Sequence, residues 1–334
     1  VIDRRAVLAG LSAVSLLDIG AARAEPAAFQ GVRRIAPDLD RIVSSDAAIE
    51  VLGSGYRWAE GPVWWAAERC LLFGDPANNV VHRWSRSAGV STFLSPSGHP
   101  APVPASITEP GLNGLAFDAS GKLVAANSGS RAIVRIDPAT RRRTTLADRY
   151  EGKRFNSPND LCVSRTGTIY FSDPTYGLAG GDDSPLRELA WCGLYALLPN
   201  GDVVLLDRSH RRPNGLALSP DERTLYLALS DDKQPQVLAY ALDKDGRPTD
   251  RRMFRDMQPE FDAKLPGLPD GIKVAPSGDV FATGPGGVHV CSADGRLLGI
   301  IATGKPISNC AFGADGRLYM TSFNILAAVP LANG

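Results

Sequence analysis

One pattern recurs six times along this chain and limits its fold more than any other feature. It reads "EGPVWWAAERCLLFGD" from Glu60, "NGLAFDASGKLVAANS" from Asn113 and "NDLCVSRTGTIYFSD" from Asn159. It returns as "NGLALSPDERTLYLALS" from Asn214, "DGIKVAPSGDVFATGP" from Asp270 and "NCAFGADGRLYMTS" from Asn309. Each copy is a polar head, a short apolar strand, a tight turn and a second strand, which is a hairpin signal. The copies start roughly 39 to 56 residues apart, about the length of a four-stranded propeller blade. Further strand pairs between them, such as "AIVRIDPATRRRTTLA", supply the third and fourth strands. No stretch beyond the first residues sustains helical apolar spacing.

The last copy leaves room for only three strands, and an orphan strand, "AIEVLGSG" from Ala48, precedes the first. If the orphan completes the final blade, the ring closes and no open edge remains. The expected fold is therefore all-β: a six-bladed β-propeller over residues 48–334, closed by an N-terminal strand. Residues 25–47 are expected to form an N-terminal extension. Residues 1–24 read as a Tat-type signal peptide, with Arg4 and Arg5 before an apolar run and an "ARA" cleavage pattern. That implies the Tat export machinery as a partner and a periplasmic location; a packed helix and a cytoplasmic protein are the alternative. The apolar run is too short to span a bilayer.

Lys plus Arg and Asp plus Glu balance at 36 each, which argues against a nucleic-acid partner. The five cysteines show no metal-binding spacing and leave a disulfide open. There is no GxSxG elbow and no partner set for a histidine-based triad.

In a propeller the first strand of each blade lines the central channel, so the heads gather around one axis. In order they are Glu60, Asn113, Asn159, Asn214, Asp270 and Asn309, with Ser308 as an alternative to the last. Carboxylates and amide oxygens form a hard-oxygen donor set, suited to one divalent cation: Ca²⁺ first, with Mg²⁺, Mn²⁺ or Zn²⁺ as alternatives. The competing reading is that Asn113-Gly114 and Asn214-Gly215 are ordinary turn pairs.

The stretches "WAEGPVW", "LLFGDPANN", "FNSPNDL", "FSDPTYGL", "RPNGLALSPDERTLY", "PDGIKV" and "NCAFGADGRLY" carry a resemblance. From roughly Ala48 to Leu331 the chain resembles the gluconolactonase branch of the senescence-marker-protein/gluconolactonase/luciferin-regenerating-enzyme family. The resemblance implies a six-bladed propeller that holds a divalent cation and hydrolyses lactones. Glu60, Asn214 and Asp270 match its metal-binding residues, and Asn159 its residue at metal and substrate. Asn113, Asn159 and Asn127 are the expected substrate-binding residues, although "AANSG" around Asn127 replaces an acid-histidine pair common in that branch.

The expected reaction is hydrolysis of a sugar lactone, a small-molecule substrate, to the aldonic acid. The cation would polarise the carbonyl, with Asp270 and Glu60 as catalytic residues and Asp270 guiding the water. Another ester class, an aromatic lactone or an organophosphate, and a non-catalytic binding platform are the alternatives. The loop "AGGDDSPLRELAW" (179–191) is the expected place for residues that separate substrates.

Overall fold

The computed structural model describes residues 29–332, so the expected signal segment lies outside the described residues. Within them the chain forms six antiparallel blade sheets around one axis, with a separate two-stranded ribbon, Arg149–Tyr150 against Lys153–Arg154, between blades 2 and 3. Blade 1 spans Glu60–Trp65 to Gly89–Leu94, blade 2 Leu112–Phe117 to Arg143–Ala147, and blade 3 Leu161–Val163 to Val203–Asp207. Blade 4 spans Pro213–Leu218 to Pro248–Asp256 and blade 5 Ile272–Val274 to Leu297–Thr303. Blade 6 takes Asn309–Phe312, Arg317–Ser322 and Ile325–Pro330, then Glu50–Ser54 as its outer strand. That strand pairs Glu50 with Ala328 and Ser54 with Ile325, so the orphan segment closes the ring.

The first residues do more than extend the body. Gln30–Arg34 adds a fifth strand to blade 5, pairing Gln30 with Thr303. The turn that follows buries Leu39 and Val43 completely against blades 5 and 6.

Burial follows the alternation of each strand. One apolar cluster fills each joint between neighbouring blades, for example Leu72, Leu112 and Val134 between blades 1 and 2. Leu161, Phe171 and Tyr195 belong to the joint between blades 2 and 3. Trp64 stacks on Tyr319 at 5.6 Å and Trp65 on Phe117 at 5.9 Å, so both are packing residues. All five cysteines are free thiols. In the "TRRRTT" turn Arg142 is exposed, whereas Arg143 is half-buried and donates to the carbonyls of Ser97 and Gly98.

Among the described residues no helix is long and apolar enough to cross a membrane.

Candidate functional site

Three inner strands deliver their polar heads through the same irregularity, whereas Asn159 and Asp270 stand just ahead of strands that pair without a slip. Register slips between Glu60 and Val63, between Leu112 and Leu115, and between Pro213 and Leu216. A bulge at this point re-aims one side chain, here the head, into the channel. Asn113-Gly114 and Asn214-Gly215 therefore lie inside strands, not in turns. Their glycines serve close approach instead. A Cβ on Gly61, which sits at φ 48°, would stand 1.9 Å from the Asn113 carbonyl oxygen, and one on Gly215 would stand 2.1 Å from that of Asp270. Neighbouring inner strands are also tied by backbone bonds: Gly114 N–H donates to Asn159 (2.7 Å) and Gly215 N–H to Asp270 (3.1 Å).

Glu60, Asn113, Asn159, Asn214 and Asp270 line one cavity of about 590 Å³. Trp58, Glu109, Tyr176, Ser230, Gly267, Leu268, Pro306 and Ile307 complete its wall. Glu60 accepts from Trp58 Nε1 (3.1 Å) and from the Gly61 N–H (3.0 Å). Asn214 Nδ2 donates to Ser230 Oγ (2.8 Å), which fixes the amide and leaves its oxygen available.

Among the described residues no lysine, arginine or histidine stands in that wall, and the carboxyls respond. Burial pushes Glu60 up to about 8, against the pull of the Gly61 N–H, and the charge of Asp160 adds to the rise. Burial likewise takes Glu109 to about 7, with Asn113 holding it lower. Asp270 is raised well above the usual range by burial first, then by Glu60, Asp160 and Glu109. Removing carboxylates from water without a counter-charge is costly, and neighbouring like charges compound it.

This donor set fits a hard cation. Glu60 and Asp270 would supply charge, Asn159 and Asn214 amide oxygens, and the mutual repulsion of the carboxylates would be relieved. It is a mixed set: among the described residues no group of three or more His, Cys, Asp or Glu side chains is placed to hold an ion.

A pH dependence follows for the protein stripped of divalent ions. The unfolded chain releases the Glu60 and Glu109 protons near 4.5, whereas the folded chain holds them to about 8 and 7. Folding takes up protons in that window, so stability is greatest below it and is lost as pH rises through it. The melting midpoint of chelator-treated protein should fall between pH 5 and pH 8 by roughly several degrees. Glu60→Gln should flatten the slope in scanning calorimetry; a midpoint that rises over this range contradicts the assignment.

Not every expected residue reaches the cavity. Asn127 is fully buried outside its wall, with Oδ1 accepting the Ser130 N–H (2.9 Å). Asn309 also stays outside. Its strand pairs without a slip, and its amide joins Asp160 Oδ2 (3.2 Å) to Lys273 Nζ (3.0 Å). Ser308 is bonded to the Ala59 carbonyl (2.6 Å), so Ile307 and Pro306 face the cavity in its place. The 179–191 loop is absent from the wall too. It is held instead by Asp182, which accepts from both terminal nitrogens of Arg212 at 3.1 and 2.9 Å. The histidines lie elsewhere, with His289 buried in blade 5 against the Pro285 carbonyl (3.0 Å).

Sequence reasoning missed Glu109, Tyr176 and Trp58. Each comes from a connection that occurs once, so no repetition marks it. Among the described residues Glu109 Oε2 and the Tyr176 hydroxyl are buried without hydrogen-bond partners. Both residues line the cavity, and a buried polar atom without a partner calls for an explanation such as a ligand or an ordered water.

Fold and site together define a closed propeller with an acid- and amide-lined channel pocket. Residues 58–324 match the family described as the SMP-30/Gluconolactonase/LRE-like region, and the chain belongs to that family. It is 45% identical to a gluconolactonase of Zymomonas mobilis over 295 residues, covering 87% of this chain and 83% of that protein. The solved gluconolactonase of Xanthomonas campestris aligns with a TM-score of 0.78 and 35% identity, over 92% of this chain and 96% of that one. A calcium-binding protein, regucalcin, from Agrobacterium tumefaciens shares the fold, with a TM-score of 0.66 and 20% identity over 85% of this chain and 93% of that one.

Proposed function

We propose that this protein hydrolyses a sugar lactone to the aldonic acid in the channel cavity, with one divalent cation held by Glu60, Asn159, Asn214 and Asp270. The observation that carries the reading is the convergence of these four residues, from four blades, on one cavity in a chain so similar to a gluconolactonase. A bound divalent cation would supply Lewis-acid polarisation of the lactone carbonyl.

The chain's own residues supply the rest. Asn113 and Asn159 offer amide donors and acceptors to sugar hydroxyls. Asp270 orients the attacking water. A carboxylate committed to a cation is a weak base, so proton acceptance falls to Glu109. It lines the cavity, and burial raises its pKa above the usual carboxylate range, the direction a base working near neutral pH needs. The proton then passes to the ring oxygen as the C–O bond breaks, giving the carboxylic acid and a free hydroxyl. Trp58, Leu268 and Ile307 form the apolar part of the wall and limit water around the reacting ester.

A panel of aldonolactones, an aromatic lactone and a phosphotriester, followed by pH-stat with and without chelator, tests the reading. Aldonolactones should be turned over fastest, and chelator should abolish the rate. Faster phosphotriester turnover, or a rate indifferent to chelator, would overturn it.

A further inference from the structure

Three serine hydroxyls hold the backbone just ahead of the side chains proposed for the cation. Ser308 Oγ donates to the carbonyl of Ala59 (2.6 Å), Ser128 Oγ to that of Pro158 (2.8 Å) and Ser230 Oγ to that of Pro269. Those carbonyls immediately precede Glu60, Asn159 and Asp270. Ser128 and Ser230 each follow the second strand of their blade, Leu123–Asn127 and Thr224–Leu229, and each reaches forward to the next blade. Ser230 also touches the fourth side chain of the set, accepting from Asn214 Nδ2 (2.8 Å).

That second contact fixes which way the amide points. A serine hydroxyl carries one proton, and a carbonyl can only accept. The Ser230 proton goes to Pro269, so toward Asn214 the hydroxyl offers a lone pair and the amide meets it nitrogen-first. Turned the other way, Asn214 Oδ1 would face Ser230 Oγ, acceptor against acceptor. Relieving that clash would draw the proton away from Pro269 and strip a buried carbonyl of its donor, which is costly. Burial raises the Asp270 carboxyl, and Asn214 offsets part of the rise, an effect that only its amide N–H groups can have. The nitrogen thus serves Ser230 and Asp270, and Oδ1 is the amide atom left for a cation.

We propose that Ser230 is a positioning residue for the cation site: it locks the Asn214 amide oxygen-first toward the cavity and ties blade 4 to the backbone that carries Asp270 in blade 5. The inference rests on the proposed cation site and adds to it a residue outside the ligand set. Without the lock both amide orientations are open and only one presents an oxygen, so affinity falls.

Calorimetric titration of Ca²⁺ into the chelator-treated full chain tests it, with the melting midpoint of each apo variant measured alongside. Ser230→Ala should bind Ca²⁺ about tenfold more weakly than wild type, the scale of losing a partner that orients a metal ligand. Ser230→Thr keeps the hydroxyl and should stay within about threefold of wild type. Both apo variants should melt within about 4 °C of wild type, so that the loss reads orientation and not unfolding. If Ser230→Ala does not fold, Ser230→Cys, whose thiol is a weak acceptor, gives the same readout. Equal binding by wild type and Ser230→Ala, or a loss in Ser230→Thr as large as in Ser230→Ala, would overturn the inference alone. No binding by wild type would overturn the cation site itself, and the inference with it.

Discussion

Replacing Asp270 by Ala should lower lactone turnover by about a hundred- to a thousandfold, the scale seen when one preorganised electrostatic group is removed from a reacting centre. In chelator-treated protein the melting midpoint should stay level or rise relative to wild type. The fold uses the backbone of Asp270, whose N–H donates to Thr283 (3.2 Å) and whose carbonyl accepts from Gly215 (3.1 Å). Its side chain instead adds charge beside Glu60, Asp160 and Glu109, each of which raises its pKa. Deleting it removes repulsion along with function, the trade expected where a site holds strain for chemistry. Rate by pH-stat on cation-loaded protein and midpoint by calorimetry on its chelator-treated form give both readings. A fully active variant, or a loss of activity explained by unfolding, would contradict the assignment.

Truncation should separate two roles of the first described residues. A chain starting at Ala48 keeps Glu50–Ser54 and so keeps the ring closed. It loses the fifth strand of blade 5 together with buried Val32, Leu39 and Val43. At about 1.5–3 kcal/mol per buried aliphatic side chain, the cost is on the order of 5 kcal/mol. Denaturant unfolding should show a folded but much weakened protein. A chain starting at Gly55 additionally strips the outer strand from blade 6. That exposes the Ile325–Pro330 strand as an open apolar edge, and soluble monomer should be lost to association. Equal stability of the two truncations would deny the closing strand its role.

How much of this was legible beforehand depends on whether a feature repeats. Hairpin turns are local chemistry written six times, so the blades and the ring closure could be read directly from turn residues and from the shortfall in the last copy. The heads Glu60, Asn113, Asn159, Asn214 and Asp270 share one place in the repeat, and the folded chain brings all five to one cavity. Asn309 shares that place in sequence but not in space. Where Glu60, Asn113 and Asn214 are turned by a bulge, its strand keeps continuous register and its amide turns to Asp160 and Lys273. A one-residue slip is a tertiary outcome that local propensity does not encode.

Asn127 ends the second strand of blade 2, and its Oδ1 is committed to the Ser130 N–H, while among the described residues its Nδ2 is buried without a partner outside the cavity wall. Glu109, Tyr176 and Trp58 lie in connections, where loops carry function without any period to betray it. The strand Gln30–Arg34 was invisible for a related reason. Its partner, Leu297–Thr303, lies far away along the chain, and five residues of mixed polarity announce no edge position.

The central claim is that ring closure makes distant acids and amides into one cation site. Calorimetric titration of Ca²⁺ into chelator-treated wild-type protein and Glu60→Gln tests it most directly. One ion should bind per chain with a dissociation constant below about 1 mM, and binding should weaken at least tenfold in the variant. No wild-type binding below that limit, or equal binding by both proteins, would contradict the claim.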